Sequence, residues 1–164
     1  MLRSVGRGGW HTALFLVLLV AGWPLRTGAQ DWYITTLTGT GSAGGYVDGS
    51  RVTAEFNGPG GLDADVPHAR VLVCDVANHR IRAVSMVDGQ TSTLFGGGNF
   101  FGDFVDALGT DARFNTPTDI SVSPDGAYAV VADTLNHRIR LLELSGNLTA
   151  STLAGASALS FGDH

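Results

Sequence analysis

The chain predicts an all-β fold built from a repeated four-stranded antiparallel unit, and three observations carry that prediction. A nine-residue phrase, Cys74-Asp75-Val76-Ala77-Asn78-His79-Arg80-Ile81-Arg82, returns further along as Ala132-Asp133-Thr134-Leu135-Asn136-His137-Arg138-Ile139-Arg140. At that offset Gly44 to Thr91 aligns without a gap on Gly102 to Thr149, and 16 of the 48 positions are identical. Within each copy, short β-branched runs with period-two alternation are punctuated by Gly, Pro and Asn. A fixed period of this size means that one supersecondary unit recurs and neighbours bury each other's apolar faces.

Segment 1–29 reads as a secretory signal peptide, with a helical apolar stretch. Arg3 and Arg7 give a basic start, Ala13 to Val20 is uninterrupted and apolar, and Thr27-Gly28-Ala29 offers small residues before a cleavage point. The apolar run falls short of the ~20 residues a spanning helix needs. The mature segment is then 30–164, and nothing in it is apolar enough to span a bilayer. It keeps 7 arginines against 15 acids, a net charge of −8, and the chain has no lysine. That balance excludes a nucleic-acid footprint and disfavours anionic membrane surfaces. Cys74 is the only cysteine, so no internal disulfide forms. Its repeat counterpart is Ala132, which suits a small buried side chain better than a reactive thiol.

The elements are clearest in the second copy. Asp119 to Ser123 alternates and stops at Pro124-Asp125-Gly126. Tyr128 to Ala132 is nearly continuous and apolar, as a strand buried on both faces should be. Arg138 to Leu144 places Ile139 and Leu141 on one face and Arg138 and Arg140 on the other. Ser145-Gly146-Asn147 turns the chain, and Ala150 to Ala154 closes the unit. Val73, Ile81, Val131 and Ile139 are expected to lie buried between units. The Gly-rich stretches 39–55 and 96–113 read as shaped loops, ended by Phe56-Asn57-Gly58-Pro59 and Phe114-Asn115-Thr116-Pro117, where proline suits a strand start. The units therefore run over about 56–96 and 114–155. Asn147-Leu148-Thr149 is an N-glycosylation sequon at a predicted turn.

Phe-Asn-x-Pro, an apolar strand ending in Asp, and Asn-His-Arg-Ile-Arg together resemble the NHL repeat, named for its Asn-His-Leu element. Pro-Asp-Gly between strands adds to the likeness in the second copy. Arg80 and Arg138 stand where that leucine would be. Thr93-Leu94-Phe95-Gly96 and Thr152-Leu153-Ala154-Gly155 look like the closing strand. The resemblance covers about 32–155 and implies a β-propeller of four-stranded antiparallel blades. The mature segment holds little over two repeat periods, and Ser160 to His164 resembles the start of another Gly-rich loop. Propellers typically close with about four to eight blades, so the chain reads as a partial propeller, a fragment of a larger one.

Several residues invite a chemical reading. Asp75 with His79, and Asp133 with His137, are spaced as metal ligands or acid–base partners could be. An element present in every blade is better explained by the turn each blade must make, so Asp75, Asn78, His79, Arg80, Asp133, Asn136, His137 and Arg138 are assigned a structural, repeat-signature role. Arg80, Arg82, Arg138 and Arg140 are expected to pair with nearby carboxylates rather than form a basic stripe. Asp48-Gly49 and Asp103 to Asp111 could supply calcium oxygens but lack a loop pattern for it. No catalytic, cofactor or metal residue is assigned.

The reading is a secreted propeller segment acting as a non-catalytic scaffold for a protein or extracellular ligand, without a cofactor. The alternative, implied by relatives of this propeller type, is part of an enzyme with a metal at its central channel, resembling an amidating lyase or a lactonase-like hydrolase. Such an enzyme should carry His, Asp or Glu that break the repeat at channel-facing positions.

Overall fold

A computed structural model describes residues 34–42, 44–97 and 101–155. The expected signal peptide, segment 1–29 with its helical stretch, lies outside them. Two antiparallel sheets follow one another along the chain. The first comprises β1 (Pro59–Asp65), β2 (Arg70–Asp75), β3 (Arg80–Ser85) and β4 (Thr91–Phe95), paired in sequence order. The second comprises β6 (Pro117–Val122), β7 (Tyr128–Asp133), β8 (Arg138–Glu143) and β9 (Thr149–Ala154), with the two-residue β5 (Ala107–Leu108) added at its outer edge.

Local chemistry sets the turns. β2 passes to β3 through a single 3-10 turn, Val76–Asn78, and β7 to β8 through Thr134–Asn136. Each turn ends on a histidine in the left-handed region, His79 at φ 56° and His137 at φ 53°. The first strand starts at proline in both sheets, and each has a register shift near that start, between Pro59 and Leu62 and between Pro117 and Asp119. Arg82 lies opposite Thr93 and Arg140 opposite Thr152, so the structural counterpart of Thr93 is Thr152 and not Ser151, the residue that the repeat offset gives. The hairpin before β9 is one position longer than that before β4, and the sequence match of Thr91 with Thr149 is not a structural one.

The sheets stack face to face. Leu72, Cys74, Ile81, Ala83 and Phe95 of the first meet Ile120, Ala129, Val131 and Leu142 of the second in one core. Where β1 runs beside β6, the strands approach so closely that a Cβ on Gly61 would sit 2.6 Å from the Asp119 Cα. Val71, Val73 and Val84 face the other way, into a second cluster with Ala54 and Phe56.

Two expectations about the second sheet are corrected. β7 is not buried on both faces, because Ala129, Val131 and Asp133 are buried while Val130 is 38% exposed. Ile139 is not buried between sheets but 39% exposed, although its counterpart Ile81 is fully buried. The reason is shared. Ile81 points at the second sheet, and no third sheet follows among the described residues to cover Ile139.

Candidate functional site

The repeat-signature residues converge where the end of β2, the start of β3 and the preceding Gly-rich loop meet. Arg82 has the largest fully buried side chain, followed by Arg140. Arg82 Nη1 donates to Asp75 Oδ2 at 2.7 Å and to the Glu55 carbonyl at 2.9 Å, while Nη2 donates to Asp48 Oδ1 at 2.7 Å and to the Val47 carbonyl at 3.0 Å. Asp75 Oδ1 accepts the Asn57 amide at 2.7 Å, and Oδ2 also accepts Asn78 Nδ2 at 2.8 Å. Asn78 Nδ2 reaches on to the Gly45 carbonyl at 2.7 Å. Burial pushes the Asp75 carboxyl above its ordinary value, against the pull of these donors.

The second copy repeats this network group for group. Arg140 Nη1 donates to Asp133 Oδ2 at 2.8 Å and to the Arg113 carbonyl at 2.9 Å, and Nη2 to Asp106 Oδ1 at 2.7 Å and the Val105 carbonyl at 3.0 Å. Asp133 accepts the Asn115 amide at 2.7 Å and Asn136 Nδ2 at 2.9 Å. Asn136 Nδ2 also meets the Asp103 carbonyl at 2.9 Å. Arg82 stacks over the Phe56 ring at 4.9 Å and Arg140 over Phe114 at 4.8 Å. At the rim, Arg80 lies over Tyr46 at 4.0 Å and Arg138 over Phe104 at 3.7 Å.

NHL repeat-containing protein 2 from Bos taurus is 34% identical over 100 residues, covering 61% of this chain and 14% of its own length. The repeat is of the NHL type. The chain thus spans about one seventh of that curated relative. Among solved structures, an auxiliary nutrient binding protein from Bacteroides thetaiotaomicron superposes with a TM-score of 0.54 at 27% identity, over 66% of this chain and 28% of that one. Another from Bacteroides ovatus gives 0.52 at 24% identity, over 74% and 29%. No protein-family model matches the chain. The two sheets are consecutive blades of a β-propeller.

In these NHL blades the Asp–His pairs do not form a joint site. His79 and His137 turn the chain, and His79 Nδ1 accepts the Thr116 amide of the next blade at 2.9 Å. Asp48 and Asp106, weighed as calcium ligands, are bound by Arg82 and Arg140 and by the hydroxyls of Thr93 and Thr152. Among the described residues, no three His, Cys, Asp or Glu side chains are grouped to hold a metal ion. Asn147 is exposed at a turn, as a glycan acceptor must be. Cys74 is fully buried, and burial pushes its thiol up to about 12.

One group breaks the repeat. Asp65, fully buried, accepts His68 Nδ1 at 2.8 Å and Arg70 Nε at 2.7 Å, on the β1–β2 turn beside Gly126 of the second blade. Ser123, Gly126 and Tyr128 occupy these positions in the second blade. The signal that finds the group is the departure from the repeat. Its carboxylate holds the imidazole through Nδ1 on a side chain that is 41% exposed, the arrangement that orients a histidine for proton transfer or for a polar ligand.

Proposed function

We propose that this chain supplies blades to a larger NHL propeller that is secreted and serves as a non-catalytic binding scaffold for a protein or extracellular ligand. The observation that carries this reading is the outer face of the second blade. Val130, Ile139 and Leu153 are 38%, 39% and 56% exposed, and the first blade covers the equivalent face with its neighbour. A repeat stack buries each unit against the next, so an apolar blade face of this composition is built to receive another blade. The binding role draws support from the nutrient binding protein that the fold resembles, and from the Asp75 and Asp133 carboxylates and the terminal nitrogens of Arg82 and Arg140, which are saturated by internal hydrogen bonds. The leader and the exposed Asn147 sequon support export and glycosylation at Asn147.

The enzyme alternative has one specific foothold, the Asp65–His68–Arg70 group, which departs from the repeat as a channel-facing site would. A thermal-shift screen of the secreted chain against oligosaccharides, peptides and vitamins separates the two. A ligand that raises Tm without being turned over supports the scaffold. Hydrolysis of a lactone or cleavage of a peptide precursor, lost in His68→Ala, overturns it.

A further inference from the structure

A groove of about 160 Å³ lies in the first blade between residues 35–37 and the β3–β4 hairpin. Its chemistry departs from the repeat. Arg51 and Asp88 line it, and the repeat offset puts Gly109 and Gly146 at these positions in the second blade. Val87, on the same wall and 84% exposed, is matched by Ser145. A residue that only holds a blade together should recur with the blade, as the Asp75–Arg82 network does. These three do not recur.

A tight contact brings the two charges to one groove. A Cβ on Gly89, at φ 75°, would collide with the Leu37 carbonyl oxygen and lie 2.8 Å from the Arg51 Cβ, so the hairpin tip is pressed onto the preceding loop. Arg51 Nη2 donates to the Thr36 carbonyl at 3.1 Å, which anchors the guanidinium at the wall. Asp88 Oδ1 accepts the Gln90 amide at 3.1 Å. The Ser85 hydroxyl and the Gln90 amide hold the Asp88 carboxyl below its ordinary range, so it is ionised at neutral pH. Among the described residues neither Arg51 nor Asp88 forms an ion pair. Leu37 and Met86 pack on the Val71–Val73–Val84 cluster and give the groove an apolar floor.

We propose that this groove binds a free aliphatic α-amino acid. Arg51 takes the carboxylate, Asp88 the ammonium, and Leu37, Met86 and Val87 the side chain. A zwitterion carries its two charges on one carbon, and an unpaired cation and carboxylate on one small groove complement it. At about 15 Å³ for each water-sized atom, the 160 Å³ gives room for about ten non-hydrogen atoms, the size of leucine. This names a ligand class within the scaffold reading and rests on it.

The test is isothermal titration calorimetry of the full chain with three probes: L-leucine, isocaproate, which lacks the ammonium, and leucinamide, which lacks the carboxylate. Saturable binding of L-leucine is expected, with each analogue about tenfold weaker or worse. Arg51→Gln and Asp88→Asn each remove one charge at nearly constant shape and should weaken L-leucine by a similar factor. Val87→Ser, which installs the residue of the second blade, should weaken it as well. Melting curves matching the unmodified chain show that the variants fold. Absence of L-leucine binding, or isocaproate or leucinamide binding as tightly as L-leucine, overturns the inference. Binding that none of the three variants weakens places the ligand elsewhere on the chain. That result overturns the groove assignment and leaves the scaffold reading in place, which falls only if the wider ligand screen is also empty.

Discussion

Arg140 and Asp133 form an ion pair at 2.8 Å with both side chains fully buried, and Arg82 and Asp75 form the same pair at 2.7 Å in the preceding blade. Each arginine thereby ties strand to loop. Its two terminal nitrogens bind a strand-end aspartate, two loop carbonyls and a loop aspartate, so a glycine-rich loop with little apolar content is fixed on the blade by polar bonds. Saturation of the carboxylate and both terminal nitrogens lets a buried charge persist, since an unpaired one would be expelled or neutralised.

Removing one partner should be costly. Asp133→Ala leaves Arg140 buried without its carboxylate and should lose about 3–5 kcal/mol in urea unfolding. Asp106→Ala removes a partner whose own side chain is 41% exposed, and should cost no more than about 1–2 kcal/mol. Equal losses from the two variants would show that burial does not govern the pair.

The closing glycines should resist substitution. A Cβ on Gly96 would meet the His79 carbonyl oxygen at 2.7 Å, and one on Gly155 would meet that of His137 at 2.3 Å, both at positive φ. Gly96→Ala should destabilise by more than about 1 kcal/mol, whereas Gly146→Ala, at φ 69° with open space around it, should cost only the strain of its conformation, about 1 kcal/mol. Denaturation midpoints of the two variants decide this.

Much of the fold was legible because the repeat states it twice. The strand order, the Asp–Asn turn and the stacking of blades all follow from one phrase and one offset. What escaped was polarity. The alternation in Arg138 to Leu144 suggests that Arg140 faces solvent, yet it is fully buried, because a loop 27 to 35 residues earlier binds its terminal nitrogens, and in the first blade Ile81 and Arg82 are both buried. Side-chain hydrogen bonds of that range leave no local period. The Asp65–His68–Arg70 group is hard to see for the opposite reason, since it appears once and is marked only by its absence from the second copy.

Cys74 should behave as a reporter of unfolding. Its thiol, pushed up to about 12 by burial, is almost wholly protonated at pH 8, and only the thiolate attacks an alkylating reagent. Iodoacetamide labelling of the folded chain should be slow and should accelerate across the urea transition. Rapid labelling in the absence of denaturant would contradict the buried placement.

His68→Ala should leave Asp65 with Arg70 alone and loosen the β1–β2 turn, at a cost of about 1–2 kcal/mol. His68→Asn keeps a donor at the position that Asn78 and Asn136 hold in the other turns, and should recover most of that loss. Urea unfolding of the two variants reads the difference, and an asparagine no better than alanine would show that the turn does not depend on the carboxylate contact.

We propose that these blades belong to a larger propeller, with the outer face of β8 as the next junction. Light scattering coupled to size-exclusion chromatography on the purified chain and on Ile139→Asp is the decisive measurement. The unmodified chain should self-associate with concentration through that apolar face, and Ile139→Asp should suppress the association with little loss of stability. A monomer at every concentration, unchanged by Ile139→Asp, would contradict it.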